Sequence, residues 1–281
     1  MSLGTILLPT EQRESMSAAL ETALLMARRF DSYIEGFALR SRINDFVAVD
    51  VGGSFAMDSF AQESIEEAKK ARVTFESFMQ AHGVPRSGQA VSGISFGWLD
   101  DAPEGEGTVG SYGRVFDLIV LSRPDATSSG RDYRALESGL FESGRPILLS
   151  PPAPPKQIAT NVLIAWNGST EQARAIAFAV PILQRAERVT VLTIPGGAAV
   201  PGPSAAQVTQ SLQRNGIPAT LLTVDLGGRS TGETILATSE AQGCDLLIKG
   251  AYTQSRLRQL IFGGATSHIL ANATMPVFMA H

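Results

Sequence analysis

Residues 250–270 read GAYTQSRLRQLIFGGATSHIL, a segment in which glycines bracket two arginines and hydroxyl residues follow at once. Glycine lets backbone N–H groups come close to an anion. Arginine matches phosphate oxygens two at a time, and a helix that starts after such a loop turns its free amides toward negative charge. The chemistry on offer is therefore the holding of a phosphate group. Arg256 and Arg258 supply the cations, each either reaching a phosphate or pointing to solvent from a polar helix face.

Other chemistries find less support. His82, His268 and His281 are scattered, and with one cysteine they form no metal-ligand cluster of the usual spacing. His268 falls one turn into the helix expected after Gly263–Gly264, where a histidine is either a surface residue or a phosphate contact. Cys244, in GCDLLIKG, reads as a small buried hydrophobe, and a lone cysteine fits a reducing cytoplasm. No G-x-x-x-x-G-K-[ST] loop occurs, and the turn NGSTEQ lacks the glycine-rich loop of adenylating enzymes. The acidic stretch DDAPEGEG (100–107) reads as a solvated loop. With no convincing general base, the expectation is a binding protein and not an enzyme, any ATP turnover being slow and incidental.

The elements that would position the loop recur in two copies. TILLPT (5–10) leads into SMSAALETALLMARRF (15–30), where Ala19, Leu20, Ala23, Leu24 and Ala27 follow helical spacing. NVLIAWN (161–167) leads into STEQARAIAFAVPILQRA (169–186), where Ala173, Ile176, Ala177 and Val180 do the same. VFDLIVLSRP (115–124) pairs with GCDLLIKGAY (243–252), and RPILLSPP (145–152) with MPVFMAH (275–281). Between its first and fourth strands the first copy is longer by about 28 residues, which the spacing places as a loop at 41–60. PPAPPK (151–156) reads as a stiff connector, giving domains 1–150 and 157–281.

Strands that alternate with helices and read as unbroken apolar runs predict an α/β fold, two tandem open parallel sheets of about five strands with helices on both faces. Ligands of such sheets sit beyond the carboxyl ends of the strands. Composition agrees with a soluble protein: 281 residues, 44% hydrophobic, 18% charged, net charge −4. The basic excess of a nucleic-acid binder is missing, so no nucleic-acid partner is expected. The longest apolar stretch, 175–183, falls short of the roughly 20 residues that span a bilayer and contains Pro181. No membrane partner is expected either, nor, from MSLGTILLPTEQRES, a signal peptide.

On these residues the chain resembles the universal stress proteins, as a tandem two-domain member, most strongly over 160–281. The resemblance implies a Rossmann-like fold of the adenine nucleotide alpha hydrolase type. Its binding members hold ATP over a loop of Gly, two residues, Gly, nine residues, Gly and then Ser or Thr, with an Asp at the end of strand one. Gly250 and Gly263 take the outer glycine positions; Thr253 replaces the middle one and Gly264 the hydroxyl residue. Thr266 and Ser267 follow closely enough to substitute, and Tyr252, Arg256 and Ala265 complete the implied phosphate side. At the base and ribose, the resemblance implies Ala165, Asn167 in place of the Asp, and Ile194 against the base. Trp166 either stacks on the base or plugs the pocket. The expected ligand is ATP or another adenine nucleotide, with Mg2+ as its companion ion.

The first half, with Pro9-Thr10-Glu11 and then SRPDATSSGRDYRALESGLFESGRP, lacks the glycine loop and is not expected to bind a nucleotide. Its expected role is that of pseudo-symmetric partner, with PILLS and PVFMA free to pair across domains or subunits in a pseudo-dimer or homodimer. The alternative is a structural or interaction protein of the same fold whose pocket has decayed or takes another small ligand.

Overall fold

The computed structural model describes residues 3–40, 54–88, 93–124, 130–197, 199–251 and 264–281. Apolar runs without polar alternation become strands covered on both faces, and the amphipathic segments between them become the covering helices. The chain begins β1 (Thr5–Thr10), α1 (Met16–Phe30), β2 (Tyr33–Ala38), α2 (Ser54–Ala81), β3 (Ser95–Trp98), α3 (Gly107–Gly113), β4 (Leu118–Leu121) and α4 (Gly130–Glu142). It continues β5 (Ile147–Leu149), β6 (Asn161–Ala165), α5 (Thr170–Leu183), β7 (Arg188–Thr193), α6 (Ala205–Arg214) and β8 (Ala219–Thr223). α7 (Thr231–Ala241), β9 (Leu246–Gly250), α8 (Gly264–Asn272) and β10 (Val277–Ala280) complete it.

These elements form two units. The N-terminal unit contains β1 to β4 and α1 to α4; the C-terminal unit contains everything from Pro146 onward, together with Arg123. Strand order in the first is β3-β2-β1-β4, all parallel. In the second it is β5-β10-β9-β6-β7-β8, parallel except for β5, which runs antiparallel to β10 with Leu149 opposite Val277. The last strand of the first repeat thus joins the sheet of the second unit, and PILLS does pair with PVFMA. β4, β6 and β9 bury every residue.

One contact recurs in both units. Asp117, just before β4, accepts hydrogen bonds from Gly4 N (2.9 Å), Thr5 N (3.1 Å) and Thr5 Oγ1 (3.2 Å) at the start of β1. Asp245, just before β9, accepts from Thr160 N and Asn161 N at 2.9 Å and from Gln157 Nε2 at 3.0 Å at the start of β6. A carboxylate that takes several backbone amides satisfies donors that the strand ladder leaves over, and it fixes the offset of two parallel strands.

Helix starts follow their caps. Ser169 accepts from Gln172 N at the start of α5, and Ser204 and Ser230 form capping boxes with Gln207 and Glu233. The five residues expected on the covered face of α1 are all buried. On α5 the expectation fails: Ala173 and Ala177 are exposed, and the buried face is Gln172, Ala175, Ala179, Ile182 and Leu183. The helix is apolar nearly all round, so periodicity does not fix its rotation. Gln172, polar and 1% exposed, does so by bonding β9. The segment read as a loop at 41–60 is helical from Ser54, the start of α2, and its residues 41–53 lie outside the described ones.

Replacing Asp245 with Ala leaves the amides of Thr160 and Asn161 without their acceptor, and is expected to lower unfolding stability by about 2–3 kcal/mol. Urea denaturation followed by circular dichroism measures this as a lower midpoint.

Candidate functional site

The carboxyl ends of β6, β7 and β9 lie side by side, with Ala165 in register with Leu192 and Ile164 with Ile248. α8 starts at Gly264 beyond β9. Here the structure brings together Ala165, Gly250, Gly264, Ala265, Thr266 and Ser267 of the expected site. Tyr252, Arg256, Gly263, Thr253 and Arg258 lie outside the described residues.

Gly250 serves a different purpose from the one its spacing suggests. A Cβ on it would stand 2.4 Å from Gln172 N and 2.8 Å from the Glu171 carbonyl carbon, so its small size lets the first turn of α5 seat on β9. Its amide donates to Gln172 Oε1 at 2.6 Å, and Gln172 Nε2 donates to Ile248 O at 3.4 Å. That amide is spent inside the protein and is not offered to a phosphate. Gly264 is the reverse case: it is exposed, and among the described residues no atom outside its own helix lies within 4 Å of where its Cβ would be.

After β6 the chain turns sharply and is covered by a strap, residues 199–204. Gly168 has φ +83°, and a Cβ there would lie 2.6 Å from Val200 O. Val200 N donates to Asn167 O at 2.9 Å. The Asn167 side chain, expected to face a ribose or a base, accepts Ser169 N at 3.1 Å in a local turn. Trp166 neither lies free nor fills the core: half-buried, it donates Nε1–H to Pro203 O at 2.9 Å and so holds the strap. Ile194 is half-buried and precedes a tight turn in which Gly197 N donates to its carbonyl at 3.0 Å.

A buried cation absent from the expected set is Lys249. It is 8% exposed, yet among the described residues no carboxylate pairs with it. Its Nζ donates to Gly250 O at 2.9 Å and to Thr266 Oγ1, in the first turn of α8, at 2.8 Å. Burial pulls its ammonium down from 10.5 to about 8. The signal was present in the sequence as a lysine inside the apolar run LLIKG. At the other end of α8, buried Arg123 donates to the carbonyls of Ala273 and Met275, the latter at 3.0 Å, where a helix leaves acceptors unsatisfied. Cys244 is buried, and burial with the neighbouring Asp245 carboxylate pushes its thiol up to about 11, which suits a packing role. His268 lies with its Cβ against Gly232 at the start of α7.

The corresponding edge of the N-terminal unit is filled with ion pairs. Arg13 bridges Glu11 and Asp132. The acidic stretch 100–107 is engaged rather than merely solvated: Asp100 pairs with Arg72, Glu104 with Arg40 at 3.4 Å, and buried Glu106 with Arg134 at 3.1 Å. Among the described residues a cavity of about 120 Å3 lies there, lined by Thr10, Glu11, Arg40 and Glu67 among others, below the roughly 300–1,000 Å3 of ordinary ligand pockets. Among the described residues, no helix is long and apolar enough to cross a membrane, and no group of three or more His, Cys, Asp or Glu stands ready for a metal ion.

Residues 159–281 match the model of the universal stress protein family. No curated protein matches the chain. Among solved structures, a universal stress protein from Archaeoglobus fulgidus DSM 4304 is 15% identical with a TM-score of 0.71, over 100% of this chain and 99% of that one. A functionally unknown protein from Pseudomonas aeruginosa PAO1 is 14% identical with a TM-score of 0.53, over 99% and 92%. At such identities the likeness is one of fold.

Two outcomes are expected. Gly168→Ala, which meets both a positive φ and the Val200 carbonyl, lowers stability by about 1–3 kcal/mol and loosens the strap, read by thermal unfolding and by faster amide exchange at Val200. Lys249 also gives stability a pH dependence. Between about pH 8 and 10.5 the unfolded chain keeps a proton that the folded chain has released. Folding therefore strengthens as pH rises through that window, by about 3 kcal/mol in total. Measured against Lys249→Met, which has no such proton, wild type gains stability across the window.

Proposed function

We propose, from the premise that residues 159–281 belong to the universal stress protein family and that the whole chain takes the fold of a two-domain member, that the protein is a stress-response regulator. In this reading it binds an adenine nucleotide in its C-terminal unit without strong catalysis. The observation that carries the reading is the start of α8: an exposed Gly264 that among the described residues meets no atom outside its own helix, followed by Ala265, Thr266 and Ser267, beside the carboxyl end of β9. The first turn of a helix has amides with no partner inside the helix and favours a phosphate there. Base and ribose then face the ends of β6 and β7, near Ala165 and Ile194, and Mg2+ accompanies the phosphates. The N-terminal unit, its strand edge occupied by Arg13, Glu11 and Asp132, serves as the pseudo-symmetric partner within the chain or in a homodimer. The setting is cytoplasmic.

A second reading, an interaction protein with a closed or altered pocket, is favoured by the strap at 199–204, which occupies the backbone carbonyl of Asn167 and the indole N–H of Trp166. Residues 41–60 are then a contact surface.

Denaturing freshly purified protein and identifying released small molecules by liquid chromatography and mass spectrometry separates the two. ATP, ADP or AMP near one per chain supports the first; no nucleotide, with no thermal shift on adding ATP at millimolar concentration, sinks it. Gly264→Val fills the open space with a branched side chain and is expected to weaken ATP binding about tenfold or more, as read by isothermal titration. Unchanged affinity would remove α8 from the site.

A further inference from the structure

Lys249 is a charge in a place that ordinarily excludes charge. At 8% exposure, an ammonium loses most of its hydration, and the two oxygens it meets, Gly250 O and Thr266 Oγ1, are neutral. Buried lysines are normally paired. Among the described residues no acidic side chain pairs with it, and the segment 252–263 contains no Asp or Glu. A protein that keeps a lysine in the middle of LLIKG, where leucine or valine would fill the strand, holds a half-completed ion pair.

The geometry supplies the place for the other half. Because the ammonium donates to Thr266 Oγ1, the hydroxyl hydrogen of Thr266 is left to donate onward. Thr266 stands in the first turn of α8, where free amides carry partial positive charge. Ammonium, hydroxyl and helix start all favour negative charge at one point. In the N-terminal unit, Leu121 occupies the matching position of DLIVL, and no corresponding charge exists.

We infer that Lys249 is the counter-charge of a phosphate-type anion seated at the start of α8, acting directly or through the Thr266 hydroxyl. The inference rests on the nucleotide reading for the identity of the anion, while the anion site itself can be tested without adenine. Bound phosphate restores the missing negative charge, so Lys249 becomes more firmly protonated when the site is filled.

Isothermal titration of the full chain near pH 7 with inorganic pyrophosphate, ATP and adenosine tests this. In Lys249→Met, pyrophosphate and ATP are expected to bind about thirtyfold more weakly or worse, with adenosine unchanged, and Lys249→Arg restores part of the loss. Nuclear magnetic resonance of side-chain-labelled lysine in wild type gives a readout independent of the variants: pyrophosphate raises the Lys249 titration midpoint. No pyrophosphate binding by wild type, equal binding by wild type and Lys249→Met, or an unmoved midpoint each overturns the proposal. Lys249-dependent pyrophosphate binding, with ATP no tighter and adenosine not bound, upholds it and sinks the nucleotide reading. Nucleotide binding indifferent to Lys249 upholds that reading and sinks this one.

Discussion

The carboxylate at the foot of the fourth strand of each repeat is the contact on which the rest depends. Asp117 and Asp245 each gather the first amides of the neighbouring strand, and a parallel ladder offers no turn to set its own offset. Once β9 is held against β6 at one end, the height at which both strands finish at the other end is determined. Gly250, Lys249 and the start of α8 arrive beside Ala165 because an aspartate some five residues earlier fixed the register. The same arrangement in β1 and β4 yields the same edge with different residues on it. There, Arg13 closes on Glu11 and Asp132.

A single cation therefore distinguishes the two halves more sharply than the glycines do. Glycine spacing alone equates Gly250 with a phosphate contact, yet its amide belongs to Gln172 and its missing Cβ to α5. The polarity of the C-terminal edge is set by Lys249 beneath Thr266 and by Arg123 at the far end of α8, one at each terminus of the same helix. A buried cation at a helix C-terminus is matched by the dipole, whereas one near the N-terminus is opposed by it. Both cations are buried and both lose ground to burial, but only Lys249 stands at the end of the helix that opposes it.

Much of the architecture was legible because it is written in local terms. Unbroken apolar runs marked β1, β4, β6 and β9, and the paired DLIV and DLLI runs marked the duplication. What escaped was decided by contacts between residues far apart in sequence. The covered face of α5 turns on Gln172 meeting β9, which no periodicity contains when the helix is apolar all round. Asn167 was expected at a ribose or base and Trp166 either on the base or plugging the pocket, but the strap at 199–204 engages both from about 35 residues away. Lys249 is a charge inside an apolar run, and what it meets, Thr266, lies 17 residues further on, beyond the reach of any local pattern.

The pairing of β5 with β10, and the hold of Arg123 on Ala273 and Met275, bear on how the two repeats came to share one chain. Both β5 and Arg123 are encoded before the PPAPPK connector but built into the unit that follows it. A fragment beginning at residue 157 would expose the bare edge of β10, open to pairing with any passing strand, and would leave the carbonyls of Ala273 and Met275, between α8 and β10, without their guanidinium. The duplicated sequence is modular, but the second folded unit is not: a strand and an arginine encoded in the first repeat complete it.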